Sequence, residues 1–183
     1  ISCDKGKYAA SDGTIQSCSK GTYQDETGKT ACKPCGAGKY GDTTGAIADS
    51  ACKDCPSNTY SSATGLDASS KCNTCPAGRS STLLGLTSAD LCTKCEAGKY
   101  SGAGSTVCLQ CQEGRYSGLG SSGCQLCQAG KYNDEKGQSN CSKTCQIGTF
   151  SIEGSTKCDK CPGGYKGIKD EAISVSDGCA KCI

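Results

Sequence analysis

Residues 95–111 read CEAGKYSGAGSTVCLQC. A cysteine opens the stretch, a glycine follows three residues later at Gly98, and a tyrosine five residues later at Tyr100. A passage rich in Gly, Ser and Thr then leads to a C-x-x-C, Cys108 to Cys111, whose second cysteine opens another copy. The rest of the chain varies this one theme. Self-similarity at a short period marks a repeat architecture, and it has to be read before any strand or helix is assigned.

Working outward, the opening cysteines are Cys3, Cys18, Cys35, Cys55, Cys75, Cys95, Cys111, Cys127, Cys145, Cys161 and Cys182. The closing ones are Cys32, Cys52, Cys72, Cys92, Cys108, Cys124, Cys141, Cys158 and Cys179. Between opener and closer lie 12 to 17 residues, whereas closer and next opener are separated by two, or three between Cys141 and Cys145. A constant short spacing beside a variable long one makes the C-x-x-C a rigid joint and the long segment a surface loop that tolerates insertion. Residues 1–183 thus divide into a tandem array of about ten cysteine-rich repeats, approximately 3–17, 18–34, 35–54, 55–74, 75–94, 95–110, 111–126, 127–144, 145–160 and 161–182.

All nine aromatic residues sit at or beside the tyrosine position, with Phe150 in one repeat and Tyr165 shifted by one in the last. The repeat opening at Cys75 has Ser80 there, and Leu83, Leu84 and Leu86 are expected to supply the missing apolar mass. Three residues after the opener stands glycine, except Asn58, the side chain that most readily joins glycine at positive φ, so a left-handed turn is expected. A second glycine follows nine or ten residues after most openers. Two turns flanking a short extended segment predict one small β-hairpin or Ω-loop per repeat. The expected fold class is small disulfide-rich repeats forming an elongated, solenoid-like rod of β-hairpin and loop modules with almost no helix. One short helical turn is expected within residues 169–176. If modules stack at about the 10 Å spacing of packed layers, the rod is on the order of 100 Å long.

Composition explains why cysteine must be so abundant. Leu, Ile, Val and Phe together number 19 of 183 residues, with no Trp or Met and 26 glycines. That is far below the proportion of about a fifth under which chains usually fail to hold a core. Twenty cysteines offset this and place the chain in an oxidising compartment, secreted or on a cell surface. Net charge is +2 with both signs interspersed, so no nucleic-acid partner is expected. No apolar run reaches about 18 residues, so no membrane span is expected in this segment.

Three readings of the cysteines compete. Disulfides from opener to closer would be Cys18–Cys32, Cys35–Cys52, Cys55–Cys72, Cys75–Cys92, Cys95–Cys108, Cys111–Cys124, Cys127–Cys141, Cys145–Cys158 and Cys161–Cys179, although spacing does not fix connectivity and links that skip between repeats stay open. Each such loop of about 15 residues contributes about 3 kcal/mol in the chain-entropy model. Successive C-x-x-C pairs also have zinc-ribbon spacing, but an unbroken chain of them without histidine argues against a metal. Redox catalysis by C-x-x-C needs a βαβ context that is missing. Cys3 and Cys182 are left over, with Ile15 standing where a closer would precede Cys18. Pairing Cys3 with Cys18 would leave Cys32 over instead. The mismatch is expected of an excerpt from a longer array, with either end cysteine linked outside the segment.

The motifs CEAGKY at Cys95, CQEGRY at Cys111, CQAGKY at Cys127, CPAGRS at Cys75 and, more loosely, CGAGKY at Cys35 resemble the ephrin-receptor-like cysteine-rich repeat. That repeat belongs to the wider EGF-like and TNF-receptor-like group of extracellular cysteine modules. The resemblance implies elongated, disulfide-laddered modules of receptor ectodomains, adhesion proteins and large protist surface proteins. It also supports the opener-to-closer pairing, as in TNF-receptor-like modules. No other kind of module interrupts the array, which favours a spacer or fibre.

Catalytic chemistry finds no foothold. Without histidine there is no imidazole base, the carboxylates are scattered, with Asp134 and Glu135 read as solvated loop residues, and no calcium loop, P-loop or dinucleotide fingerprint occurs. Neither an enzyme, a cofactor nor a metal is expected. The tyrosines could stack on sugars or on a partner chain, but the reading preferred is that each ring covers its own disulfide or the flat glycine face of the next module. Lys7, Lys39, Lys99 and Lys131, each preceding a tyrosine, are read as solvated. Asn140-Cys141-Ser142 is an N-glycosylation sequon, making Asn140 a candidate acceptor and covalent glycans a candidate decoration. The function expected is an extracellular structural protein serving as stalk, spacer or surface-filament subunit, with protein partners through self-assembly or neighbouring surface proteins. The alternative is a receptor or adhesion ectodomain that binds a protein or glycan ligand.

Overall fold

A computed structural model describes residues 3–182. Among them are ten two-stranded antiparallel hairpins, three short 3-10 turns and one helical turn. The chain falls into two compact bodies, one of residues up to Pro76 with Ser80–Thr93, the other of Ala77–Arg79 with residues from Lys94 onward.

Each repeat begins with a tight turn. In the Cys95 repeat the Lys99 amide donates to the Glu96 carbonyl at 3.0 Å, and Gly98 between them has φ 84°. This is the positive φ that the third residue of a type II turn requires. Asn58 takes the same place with φ 60°, as its position in the repeat leads one to expect. The turn delivers the tyrosine into a two-residue strand. Lys99 and Tyr100 face Gln110 and Leu109, the residues between Cys108 and Cys111. The same register recurs at Arg115–Tyr116 with Gln125–Leu126 and at Thr22–Tyr23 with Lys33–Pro34. The C-x-x-C joint is short and constant because its two middle residues are the return strand of the hairpin.

Longer loops absorb their extra residues in one turn of helix. The loops with 16 residues between opener and closer wind into 3-10 turns at Asp49–Ala51, Ser69–Lys71 and Ala89–Leu91, immediately before the closing cysteine. The 17-residue loop forms a helical turn at Val175–Gly178, where the Ser174 hydroxyl accepts from the Asp177 amide at 3.2 Å. That turn lies at the far end of the segment expected over residues 169–176, because it is anchored on the cap and on Cys179 rather than on an apolar stripe.

Eighteen of the twenty cysteines are joined in nine disulfides, Cys18–Cys32 through Cys161–Cys179, with Cα–Cα separations of 5.6 to 6.0 Å. They are the core. Openers from Cys3 to Cys145 are all buried to 1 % exposure or less, and the few other buried apolar groups are Ala46, Leu86 and Ala172. Leu86 packs with the Cys75–Cys92 disulfide and receives Tyr60 from the preceding repeat. Leu83 and Leu84, in contrast, point into solvent, so of the three leucines only Leu86 is buried.

Candidate interaction surface

Successive repeats are joined by backbone hydrogen bonds. At the contact of the Cys95 and Cys111 repeats, the Cys111 amide donates to Gly98 O at 2.9 Å and the Gly98 amide to Ser117 O at 2.8 Å. The Gly120 amide donates to Cys95 O at 2.7 Å and the Ser101 amide to Ser121 O at 3.3 Å. The same set recurs one repeat on, through Cys127, Gly114, Gly137 and Ser117.

Repeats two apart also touch. A Cβ on Gly98 would lie 1.8 Å from the carbonyl oxygen of Gly137, and one on Gly38 would lie 2.3 Å from that of Gly85. The two glycines of the motif are therefore halves of one contact, each from a different repeat. In the last repeat Glu171 takes the place of the second glycine with φ 52°, and its amide donates to Cys145 O at 2.7 Å. A charged side chain hid this position in the sequence.

One further position carries the junction and was not picked out from the sequence. The residue six after the opener is buried and polar or small: Gln24, Ser61, Ser81, Ser101, Ser117, Asn133 and Ser151. From Ser101 onward its side chain reaches back to a carbonyl of the preceding repeat's strand, as in Ser117 Oγ to Lys99 O at 2.9 Å, Asn133 Nδ2 to Arg115 O at 3.1 Å and Ser151 Oγ to Lys131 O at 3.1 Å, whereas Gln24 and Ser61 donate within their own repeats to Ala31 O and Ala63 O. The signal was there, in the Ser, Asn or Gln that follows six of the nine aromatics. At the turn position of the same repeat as Ser61, Asn58 buries a side-chain amide with neither nitrogen nor oxygen partnered.

Outside the ladder, the aromatic rings floor a series of open grooves. Each lies between a tyrosine and the closing cysteine of the following repeat: Tyr8 with Cys32, Tyr100 with Cys124, Tyr116 with Cys141, Tyr132 with Cys158. Lys131 lines the groove of Tyr116. Lys39 and Lys99 hold Asp49 and Glu96 in ion pairs at 3.4 and 2.8 Å. Lys39 and Lys99 are thus ion-paired while remaining more than a third exposed. Asn140 is exposed at the edge of the Tyr116 groove. Asp134 is paired with Lys143, and Glu135 accepts from Gln138 at 3.1 Å. Near the start of the chain, hydrogen bonds from Lys29 and Lys33 hold the Glu26 carboxyl down at about 2.

Cys3 and Cys182 carry free thiols, the first buried and the second exposed. No group of three or more His, Cys, Asp or Glu side chains that could hold a metal occurs among the described residues. No helix among them is long and apolar enough to cross a membrane.

A ladder of disulfides carrying minimal hairpins defines a cysteine-rich repeat module. Residues 6–52 match the family described as tyrosine-protein kinase ephrin type A/B receptor-like, so this stretch is similar to an ephrin-receptor-like cysteine-rich segment. No curated protein matches the chain. The family is a receptor-like module and not an enzyme family, and together with the disulfides it marks an extracellular module.

Proposed function

We propose that the protein is an extracellular structural element, a disulfide-laddered rod that serves as stalk, spacer or surface-filament subunit. The observation that carries this reading is the ladder. Within each body the repeats direct backbone donors to their neighbours, as Gly45, Gly65 and Gly85 do to Cys18, Cys35 and Cys55, and Gly120, Gly137 and Gly154 to Cys95, Cys111 and Cys127. Such an arrangement transmits position along the chain. In this reading the whole of 1–183 is one array of about ten repeats, its partners are copies of itself or neighbouring surface proteins, and Asn140 carries an N-linked glycan. Cys3 or Cys182 forms a covalent link outside the segment.

Solution scattering tests the rod. A compact protein of this length has a radius of gyration of about 16 Å, and a rod on the order of 100 Å long has one nearly twice that. A value near the compact figure would contradict the proposal.

A further inference from the structure

We propose that the tyrosine-lined grooves of the second body bind a linear anionic polysaccharide, one stretch of sugar per groove. Three grooves follow one another in the second body. Each is lined by a half-buried tyrosine, Tyr100, Tyr116 or Tyr132. The wall of each comes from the following repeat and supplies an amide one residue after the opener: Gln112, Gln128 and Gln146. Four residues after the opener it supplies Arg115, Lys131 and Thr149.

This combination suits an acidic sugar. An aromatic face accepts the C–H face of a pyranose ring, a carboxamide both donates to and accepts from hydroxyls, and Arg or Lys binds a carboxylate or sulfate. The cations are available. Lys131 and Lys157 make no ion pair with the described residues, and Arg115 reaches only the Cys124 carbonyl, at 3.5 Å. The one acid in the series, Asp134 of the third groove, is already neutralised by Lys143.

Repetition selects the polymer. Equivalent walls presented by successive repeats match a ligand that itself repeats, and the grooves have no leucine or isoleucine lining to receive an amphipathic helix. A rod needs no ligand, so this site does not rest on the structural role, although a glycan on Asn140 would cover the Tyr116 groove and compete with the polysaccharide there.

The test uses the full chain made in the bacterial periplasm, where disulfides form and N-glycans are not added. Alginate oligomers from dimer to octamer are titrated calorimetrically beside neutral dextran oligomers and polyglutamate of matched charge. The octamer is expected to bind on the order of a hundredfold tighter than the dimer. The double variant Arg115→Gln, Lys131→Gln, unchanged in thermal unfolding, is expected to lose about tenfold of the octamer affinity. Dextran is expected to bind weakly or not at all. Polyglutamate binding as tightly as alginate would replace the sugar with an acidic peptide and overturn the assignment. Affinity independent of oligomer length, or unmoved by the double variant, would overturn the site. Failure here together with an extended scattering profile would leave the rod intact.

Discussion

At the residue scale, two positions show how the repeat tolerates exceptions. Asn58 adopts the left-handed backbone that its neighbours fill with glycine, and buries an amide without hydrogen bonds. Each burden is removed by glycine. Asn58→Gly is therefore expected to stabilise the chain by about 1–2 kcal/mol, read as a higher denaturation midpoint at unchanged slope. A lower midpoint would mean that the amide has a partner after all. Glu26 shows the electrostatics of the same surface. Its ion pairs with Lys29 and Lys33, at 2.8 and 2.9 Å, lower its pKa to about 2. The sign follows from linkage. A lowered carboxylate pKa stabilises the fold above the unfolded value of about 4.3, and that stabilisation is lost as the pH falls toward 2. Because the pair is exposed, the effect on stability is small. Carboxyl NMR should show Glu26 titrating near the low value, and rising toward the ordinary one in Lys33→Gln. An ordinary midpoint in the wild type would contradict the pairing.

At the scale of the element, the hairpin was legible because its parts are local: the turn glycine, the strand tyrosine and the C-x-x-C joint all lie within one repeat. What joins one hairpin to others was not. The contact of Gly98 with Gly137 links residues two repeats apart, and nothing in one copy of the motif says which glycine meets which. The buried position occupied by Ser117 and Asn133 escaped for a related reason, since a small polar residue in a hydrophilic loop is unremarkable until its carbonyl partner is known. Two substitutions separate backbone strain from close approach. Gly28 has φ 69° with open space around it, so Gly28→Ala should cost only the left-handed penalty of about 1–2 kcal/mol. Gly98→Ala adds overlap with the Gly137 carbonyl and should cost about 1–3 kcal/mol more. It should also speed hydrogen exchange at the Gly137 and Gly120 amides. Equal losses from the two variants would show that the repeats do not meet at Gly98.

At the scale of the whole molecule, composition announced the fold class: a chain with 19 large aliphatic and phenylalanine residues in 183 must find another interior. It finds sulfur. The buried opening cysteines occupy the place of a core, and aliphatic side chains such as Leu119 and Ile152 stay in solvent, 68 % and 63 % exposed. Composition said less about function, because a ladder built from backbone groups and disulfides leaves its outer surface free to vary without disturbing the fold. Stability in such an array is nearly a sum of terms within repeats and terms between them.

The dependence on sulfur is open to one direct measurement: amide hydrogen exchange followed by mass spectrometry, before and after complete reduction and alkylation under native buffer conditions. The oxidised chain should protect the junction amides of Cys111, Gly114 and Gly137, and the reduced chain should lose that protection along its length. Protection that survives reduction would mean that the hairpins and their hydrogen bonds hold the molecule without the disulfides, and would contradict this account.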